Sequence, residues 1–580
     1  MKSFLKKFKL LFIAVFIGVY AIISYSFVDN YFEVSKNLDI FATLFRELNI
    51  YYVDETNPGD LMKRAIDDML GSLDPYTNYI PESEIEDYRY MTTGQYGGIG
   101  ALIRQDSNYV IISEPYEGYP AQKADLRAGD KILKVNDMDV KGKKTDDISK
   151  FLKGQASTTI KLLIEREGEK KPLEKTVNRE EIKIKSVPYY GMIAPSIGYI
   201  KLTGFTENAG GEVKEALLAL KKNPELKSLV LDLRGNPGGL LNEAVGIVNL
   251  FVEKGTEIVS TRGKVKDWDK VHKGLNSPVD LTIPVTVLID RGSASAAEIV
   301  SGALQDLDRG VIIGQRSYGK GLVQQTRPLS YNAQLKVTVA KYYIPSGRCI
   351  QALDYSHHND DGSVDKVPDS LISAFKTKNG RIVYDGGGIS PDVVLEPQKY
   401  SSILLSLVTK NLIFDYATKY RTANASLVPA KEFQLSDVDY NDFVTFLNGK
   451  NYDYTTKTEQ TLDELKEDAK ADKALDALKE EIDALKNKVM HHKKEDLIKY
   501  KPEIKQFLEE EIASRYYFQN GRLEASLKED VELEEAVNIL NNKERYDKLI
   551  TTILKAEKPF YNSAQGKQKQ LKGNKAEIEN

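Results

Sequence analysis

Three glycine-rich segments of this chain close apolar runs of the kind that form buried strands. They are Asp232-Leu233-Arg234-Gly235-Asn236-Pro237-Gly238-Gly239, Asp290-Arg291-Gly292-Ser293-Ala294-Ser295-Ala296-Ala297-Glu298 and Gly314-Gln315-Arg316-Ser317-Tyr318-Gly319-Lys320-Gly321. In the second, a Gly/Ser/Ala turn runs into a helical pattern. A serine in that turn sits at a helix N-terminus with its hydroxyl exposed. The first N–H groups of a helix have no internal partner and can hold an oxyanion. Small neighbours let a peptide backbone come close. The plainer alternative is a helix cap, a role serine favours.

A nucleophilic serine needs a base, and histidine is the usual one. The five histidines are His272, His357, His358, His491 and His492. They fall in charged or polar stretches, and none sits at a glycine-rich strand end. Lys320 is the better candidate. It lies between Gly319 and Gly321, 25 residues after Ser295, where the glycines leave room beside its stem. A free lysine, with a pKa of about 10.4, is already protonated at neutral pH. Burial without a carboxylate partner lowers it, and a drop of two to three units costs roughly 3–4 kcal/mol. Arginine could not serve, because it does not give up its proton. The plainer alternative is a solvated loop lysine.

The elements that must position these residues can be read along the 580-residue chain, which has room for three to five domains. The net charge of −4 gives no electrostatic reason to expect a nucleic-acid partner. The single cysteine, Cys349, excludes an internal disulfide and a cysteine zinc cluster. It sits in Ser346-Gly347-Arg348-Cys349-Ile350, poorly placed for a thiol nucleophile. At the N-terminus, Lys2, Lys6, Lys7 and Lys9 precede an apolar run from Leu10 to Val28. Nineteen residues span about 28 Å, close to the thickness of a bilayer core. The lysines should stay cytoplasmic. No clean cleavage site follows, so an uncleaved anchor is favoured over a cleaved signal, with the body in the cell envelope on the outer (periplasmic) side of the cytoplasmic membrane.

We divide the chain into a cytoplasmic stub and anchor (1–30), an N-terminal helical region (31–95), a β-rich domain (96–187), an α/β domain (188–400), a C-terminal helical domain (401–560) and a disordered polar tail (561–580). The overall class is α+β multidomain. Leu475, Leu478, Ile482, Leu485 and Val489 step by three and four over two heptads. That is too short to argue for a coiled coil, so a packed helix is expected.

In content and order, the motifs of residues 35–397 resemble those of the carboxyl-terminal processing peptidases, or tail-specific proteases. They are Ser72-Leu73-Asp74-Pro75 with Thr77; Tyr96-Gly97-Gly98-Ile99-Gly100; Ala128-Gly129-Asp130 followed by Val135-Asn136; the three segments above, with Gln324; and Gly387-Gly388-Ile389-Ser390-Pro391-Asp392. The resemblance implies a spiral, ClpP/crotonase-like peptidase core and a PDZ module. It implies Ser295 as nucleophile, with Ser293 structural, Lys320 as general base and Gln324 as the residue that positions Lys320. Their four-residue spacing suits one face of a helix, though a strand is equally compatible. Oxyanion donors would be the N–H of Ala296 and one from Gly238 or Gly239. The PDZ module would take a substrate tail on Gly98, Ile99, Gly100, Ala101 and Leu102. No metal or cofactor is implied. Ala297 departs from the family, where many members carry serine.

The partners expected are protein substrates held by their C-termini and the membrane; a homodimer, a cage or an adaptor stays open. Two other readings stay open. One is a non-catalytic binding protein, the other a hydrolase of small acyl compounds.

Overall fold

The computed structural model describes residues 31–359, 361–489 and 493–551. The expected anchor, His491-His492 and the expected disordered tail lie outside the described residues. Among the described residues, no helix is long and apolar enough to cross a membrane. The chain forms two compact units, one up to Tyr79 and one from Ile80 onward.

The first unit carries a helix over 31–51 and a second, Pro58–Gly71. Asn57 caps the second through its side-chain oxygen, and Pro58 needs no donor there. The Asp74 motif is a turn locked by its carboxylate, which accepts from the N–H groups of Tyr76 and Thr77, both at 2.8 Å, and from the Thr77 hydroxyl at 3.0 Å.

The second unit begins with the β-rich domain. Strands Ala101–Asp106, Tyr109–Pro115, Lys131–Val135, Thr159–Glu165 and Leu173–Asn178 pair in that order, all antiparallel. Alternation puts Ile160, Leu162 and Ile164 inside with Val110, Ile112, Ile132 and Ile148. Ala101–Asp106 is an edge strand, and helix Thr145–Leu152 runs beside it.

The α/β domain holds a six-stranded sheet. Tyr189–Ala194 joins antiparallel to Ile197–Lys201; Ser228–Asp232, Val285–Ile289, Val311–Gly314 and Val393–Val394 then follow in parallel. Ser228–Asp232, Val285–Ile289 and Val311–Gly314 are buried along their whole length. They read as unbroken apolar runs because both faces are covered. Helices Ala209–Leu220, Leu241–Val248 and Ala296–Asp306 share one core with the sheet. On a separate core, Val230, Leu288, Val311 and Ile313 meet Leu533, Ala536, Ile539 and Tyr546. Those partners come from helices Val531–Asn541 and Lys543–Thr551.

Helices between Ser402 and Ser526 pack around Tyr416, Tyr440, Phe443, Ile504, Leu508 and Ile512. They also grip the β-rich domain. The Phe414 ring lies between the guanidinium groups of Arg104 and Arg515, each 4.2 Å from its centroid. Glu114 pairs with Arg522 at 2.7 Å. Helix Leu475–Val489 packs against Lys457–Ala471 and buries Ile482.

Arg348, 1 % exposed, donates to Asp306 at 2.8 Å and to Gln305 at 2.7 Å, at the end of helix Ala296–Asp306. Removing it strands a buried carboxylate. Arg348→Met should lower the unfolding free energy by about 3–5 kcal/mol, read by denaturant titration.

Candidate active site

The three glycine-rich segments leave the carboxyl ends of three neighbouring parallel strands. Residues 233–240 follow Ser228–Asp232, residues 290–295 follow Val285–Ile289, and residues 315–321 follow Val311–Gly314. Sites in open α/β sheets form at this edge. Strand order therefore brings the segments together although they are far apart in sequence.

Ser295 stands at the N-cap of helix Ala296–Asp306 with φ 55° and ψ −113°. A non-glycine residue in such a conformation costs about 1–3 kcal/mol and persists only where its surroundings hold it. Gly238 presses against the same turn. A Cβ on Gly238 would lie 2.8 Å from the Ser295 Cβ and 2.9 Å from the Ala296 nitrogen, so only glycine fits. Ser293 is buried and ties the first two loops together: its hydroxyl donates to the Leu233 carbonyl at 2.8 Å and accepts from the Asp290 N–H at 3.0 Å.

Sequence reasoning assigns no role to Glu298; its surroundings do. It is fully buried, and its carboxylate collects four donors. One oxygen accepts from the N–H of Ser295 and the N–H of Lys320, both at 2.8 Å. The other accepts from the Ser317 hydroxyl at 2.5 Å and the Gly319 N–H at 2.7 Å. A single carboxylate thus fastens the Ser295 turn to the Lys320 loop. Burial pushes its pKa up to about 7, with the four hydrogen bonds pulling the other way. Because burial holds the proton on, ionising Glu298 costs the fold stability. Its contribution is present below the usual value of 4.5 and is lost as pH rises through about 7. The signal in the sequence is the three-residue step from Ser295 to Glu298, a capping-box spacing.

Tyr342 repeats the bridge from the other side. Its hydroxyl lies 2.7 Å from the Lys320 carbonyl and 3.1 Å from the Ser295 carbonyl. Burial, then the Glu298 charge, pushes its pKa well above the usual value, so it remains a donor. The Gly387 motif closes over the same loop: the Ser317 hydroxyl accepts from the Ile389 N–H at 2.6 Å. Asp392 accepts from the Ile312 N–H at 2.8 Å.

Among the expected oxyanion donors, the Gly238 N–H is taken by the Asn236 side chain at 2.9 Å. The N–H groups of Gly239 and Ala296 have no acceptor among the described residues. Gln324 lies on strand Leu322–Pro328, not on a helix, and its amide nitrogen donates to the Thr338 hydroxyl at 3.1 Å. Burial raises the Cys349 thiol pKa. His272, on strand Lys270–Lys273, and His357 and His358 lie off the three loops.

In the β-rich domain, Gly98 ends a short strand, Ile99 is buried, and Gly100 turns with φ 71°. The N–H groups of Ile99 and Gly100 have no acceptor among the described residues. Ala101 and Leu102 open the edge strand, and Leu102 is 47 % exposed.

Comparison with known proteins identifies a serine-type peptidase core joined to a PDZ domain. Residues 196–357 match Peptidase family S41, residues 111–166 the PDZ domain, and residues 403–540 the C-terminal helical domain of probable PDZ-proteases. A carboxy-terminal-processing protease of Bartonella bacilliformis is 34% identical over 433 residues, covering 73% of this chain and 91% of its own. A probable CtpA-like serine protease of Staphylococcus aureus is 32% identical over 407 residues, covering 68% of this chain and 74% of its own. Among solved structures, the photosystem II D1 C-terminal processing protease is 28% identical, covers 61% of this chain and 86% of its own, and has a TM-score of 0.33. The chain belongs to the carboxy-terminal-processing protease family of S41 serine peptidases and carries a PDZ domain.

Glu298→Gln turns an NH₂ group towards two of the four donors. It should lower kcat at least tenfold and cost about 2–3 kcal/mol of stability, from buried donors left unpaired. Peptide turnover and thermal unfolding, measured together, check both.

Proposed function

We propose that the protein cleaves protein substrates through an acyl-enzyme, with Ser295 as nucleophile and Lys320 as its neutral general base, after the PDZ domain has captured the substrate tail. The observation that carries this reading is the Glu298 oxygen shared by the N–H groups of Ser295 and Lys320. The two residues of the dyad are anchored, backbone to backbone, through one atom.

Lys320 takes the Ser295 proton as the hydroxyl attacks the peptide carbonyl. The carbonyl oxygen becomes an oxyanion that needs at least two donors. Ala296 N–H and Gly239 N–H are the pair we assign, because the Gly238 N–H is already engaged. The amine leaves with the proton from Lys320, and water then releases the acyl group by the same route. Gln324 is assigned to hold the Lys320 side chain from the strand that directly follows its loop. No metal or cofactor enters this scheme.

For tail capture, the open edge of Ala101–Asp106 and the helix beside it suit an added strand, and the N–H groups of Ile99 and Gly100, without an acceptor among the described residues, suit its terminal carboxylate. The lysines before Leu10–Val28 support a catalytic body held outside the cytoplasmic membrane by that segment. Protease shaving of intact against lysed spheroplasts tests the side.

Ser295→Ala should abolish turnover and labelling by a fluorophosphonate. Lys320→Arg should do the same with the fold intact, because arginine stays charged; full turnover in either variant would overturn the dyad. A fluorophosphonate-silent wild type would favour a binding protein instead. Amidating the C-terminus of a model substrate should raise KM severalfold with little change in kcat. An unchanged KM would sink the capture step.

A further inference from the structure

Helix Val531–Asn541 begins with two carboxylates that reach into the catalytic edge of the sheet. Asp530 is its N-cap and accepts from the Leu533 N–H at 3.0 Å. The same side chain pairs with both terminal nitrogens of Arg234, at 2.9 and 2.6 Å. Glu532 divides its oxygens. One accepts from Arg234 at 2.8 Å, and the other from the Gln315 amide at 2.9 Å. Arg234 sits on the loop that carries Gly238 and Gly239. Gln315 sits on the loop that carries Lys320. A helix remote in sequence thus holds both loops through one side chain.

The pairings are well insulated. The side chains of Arg234, Asp530 and Glu532 are 18, 14 and 15 % exposed. Arg234 is also clasped by the buried Asp232, which accepts from its N–H at 2.9 Å and from its guanidinium. Lys201 pairs with Asp232 at 3.1 Å and donates to the Arg234 carbonyl at 2.9 Å. Two cations and three carboxylates therefore interlock at the base of the loop. The helix N-terminus favours its own two carboxylates there. Arginine's rigid fork can satisfy two carboxylates in fixed directions, so it transmits position as well as charge.

We infer that Asp530 and Glu532 are positioning residues of the peptidase, setting the Gly239 and Lys320 loops in register across the sheet edge. This rests on the assignment of Ser295, Lys320 and Gly239 above. It goes beyond that assignment by making the end of the C-terminal helical domain a part of the active site.

The test separates positioning from mere docking. Glu532→Ala should lower kcat tenfold or more with KM changed less than threefold, and should slow fluorophosphonate labelling of Ser295 in the same proportion. Glu532→Gln keeps an acceptor for Gln315 and the helix intact, but loses the charge facing Arg234. It should recover part of the rate, as should Asp530→Asn, which still caps the helix. Leu533→Ala removes packing from the same helix without touching its charges. It should lower the melting temperature at least as much as Glu532→Ala while leaving kcat within twofold. Should Glu532→Ala keep its full rate while Ser295→Ala is dead, this inference fails alone. Should kcat fall in step with melting temperature in all four helix variants, the helix only docks and the inference also fails. Turnover by Ser295→Ala would instead bring down the serine assignment, and this inference with it.

Discussion

A buried carboxylate that must satisfy four donors at once is the constraint on which the candidate active site depends. Glu298 lies on the first turn of the helix behind Ser295, where its charge would otherwise be costly. It is tolerable only because two loops deliver N–H and O–H groups to it from opposite directions. The cost of burial is thereby converted into alignment: the Ser295 turn cannot relax from its strained backbone without giving up its N–H bond to the carboxylate that also holds the Lys320 and Gly319 amides. Tyr342 and Ser293 add shorter ties in the same sense, one to the Lys320 loop and one to the Gly239 loop.

The sheet supplies the framework for this constraint. Three adjacent parallel strands end at one edge, so three loops meet without any of them being long. Gly238 then lets the first loop approach the second at a distance that no side chain would permit. The third loop is covered by Ile389 and its neighbours, which return from much later in the chain.

What can be read from residues alone follows from these physical facts. Strands buried on both faces appear as unbroken Val, Leu and Ile runs. The glycine clusters after them mark tight turns, so the strand-end loops are legible in the residue pattern itself. The helices after Leu241 and Ala296 are legible for the same reason, since their apolar spacing is local. Pairings between distant segments leave no local trace. Leu533, Ala536 and Ile539 have the spacing of any amphipathic helix, and nothing in that pattern says that their partner is the peptidase sheet. The step from Lys320 to Gln324 suits a helix and a strand equally, because both periods return to the same face after four residues. Only the pairing of Leu322–Pro328 with Gln334–Tyr343 decides it. Glu298 stands in plain view at capping-box spacing, but three of its four donors belong to a loop whose approach depends on strand order.

Covering one face of the peptidase sheet with residues 530–551 has a consequence for biogenesis. This segment emerges from the ribosome later than every other part of the peptidase core. Until it docks, Val230, Leu288 and Ile313 face water, and Arg234 lacks two of its three carboxylate partners. Synthesis runs from the N-terminus, so this face of the sheet and the Arg234 cluster can be completed only after the helical domain has been made.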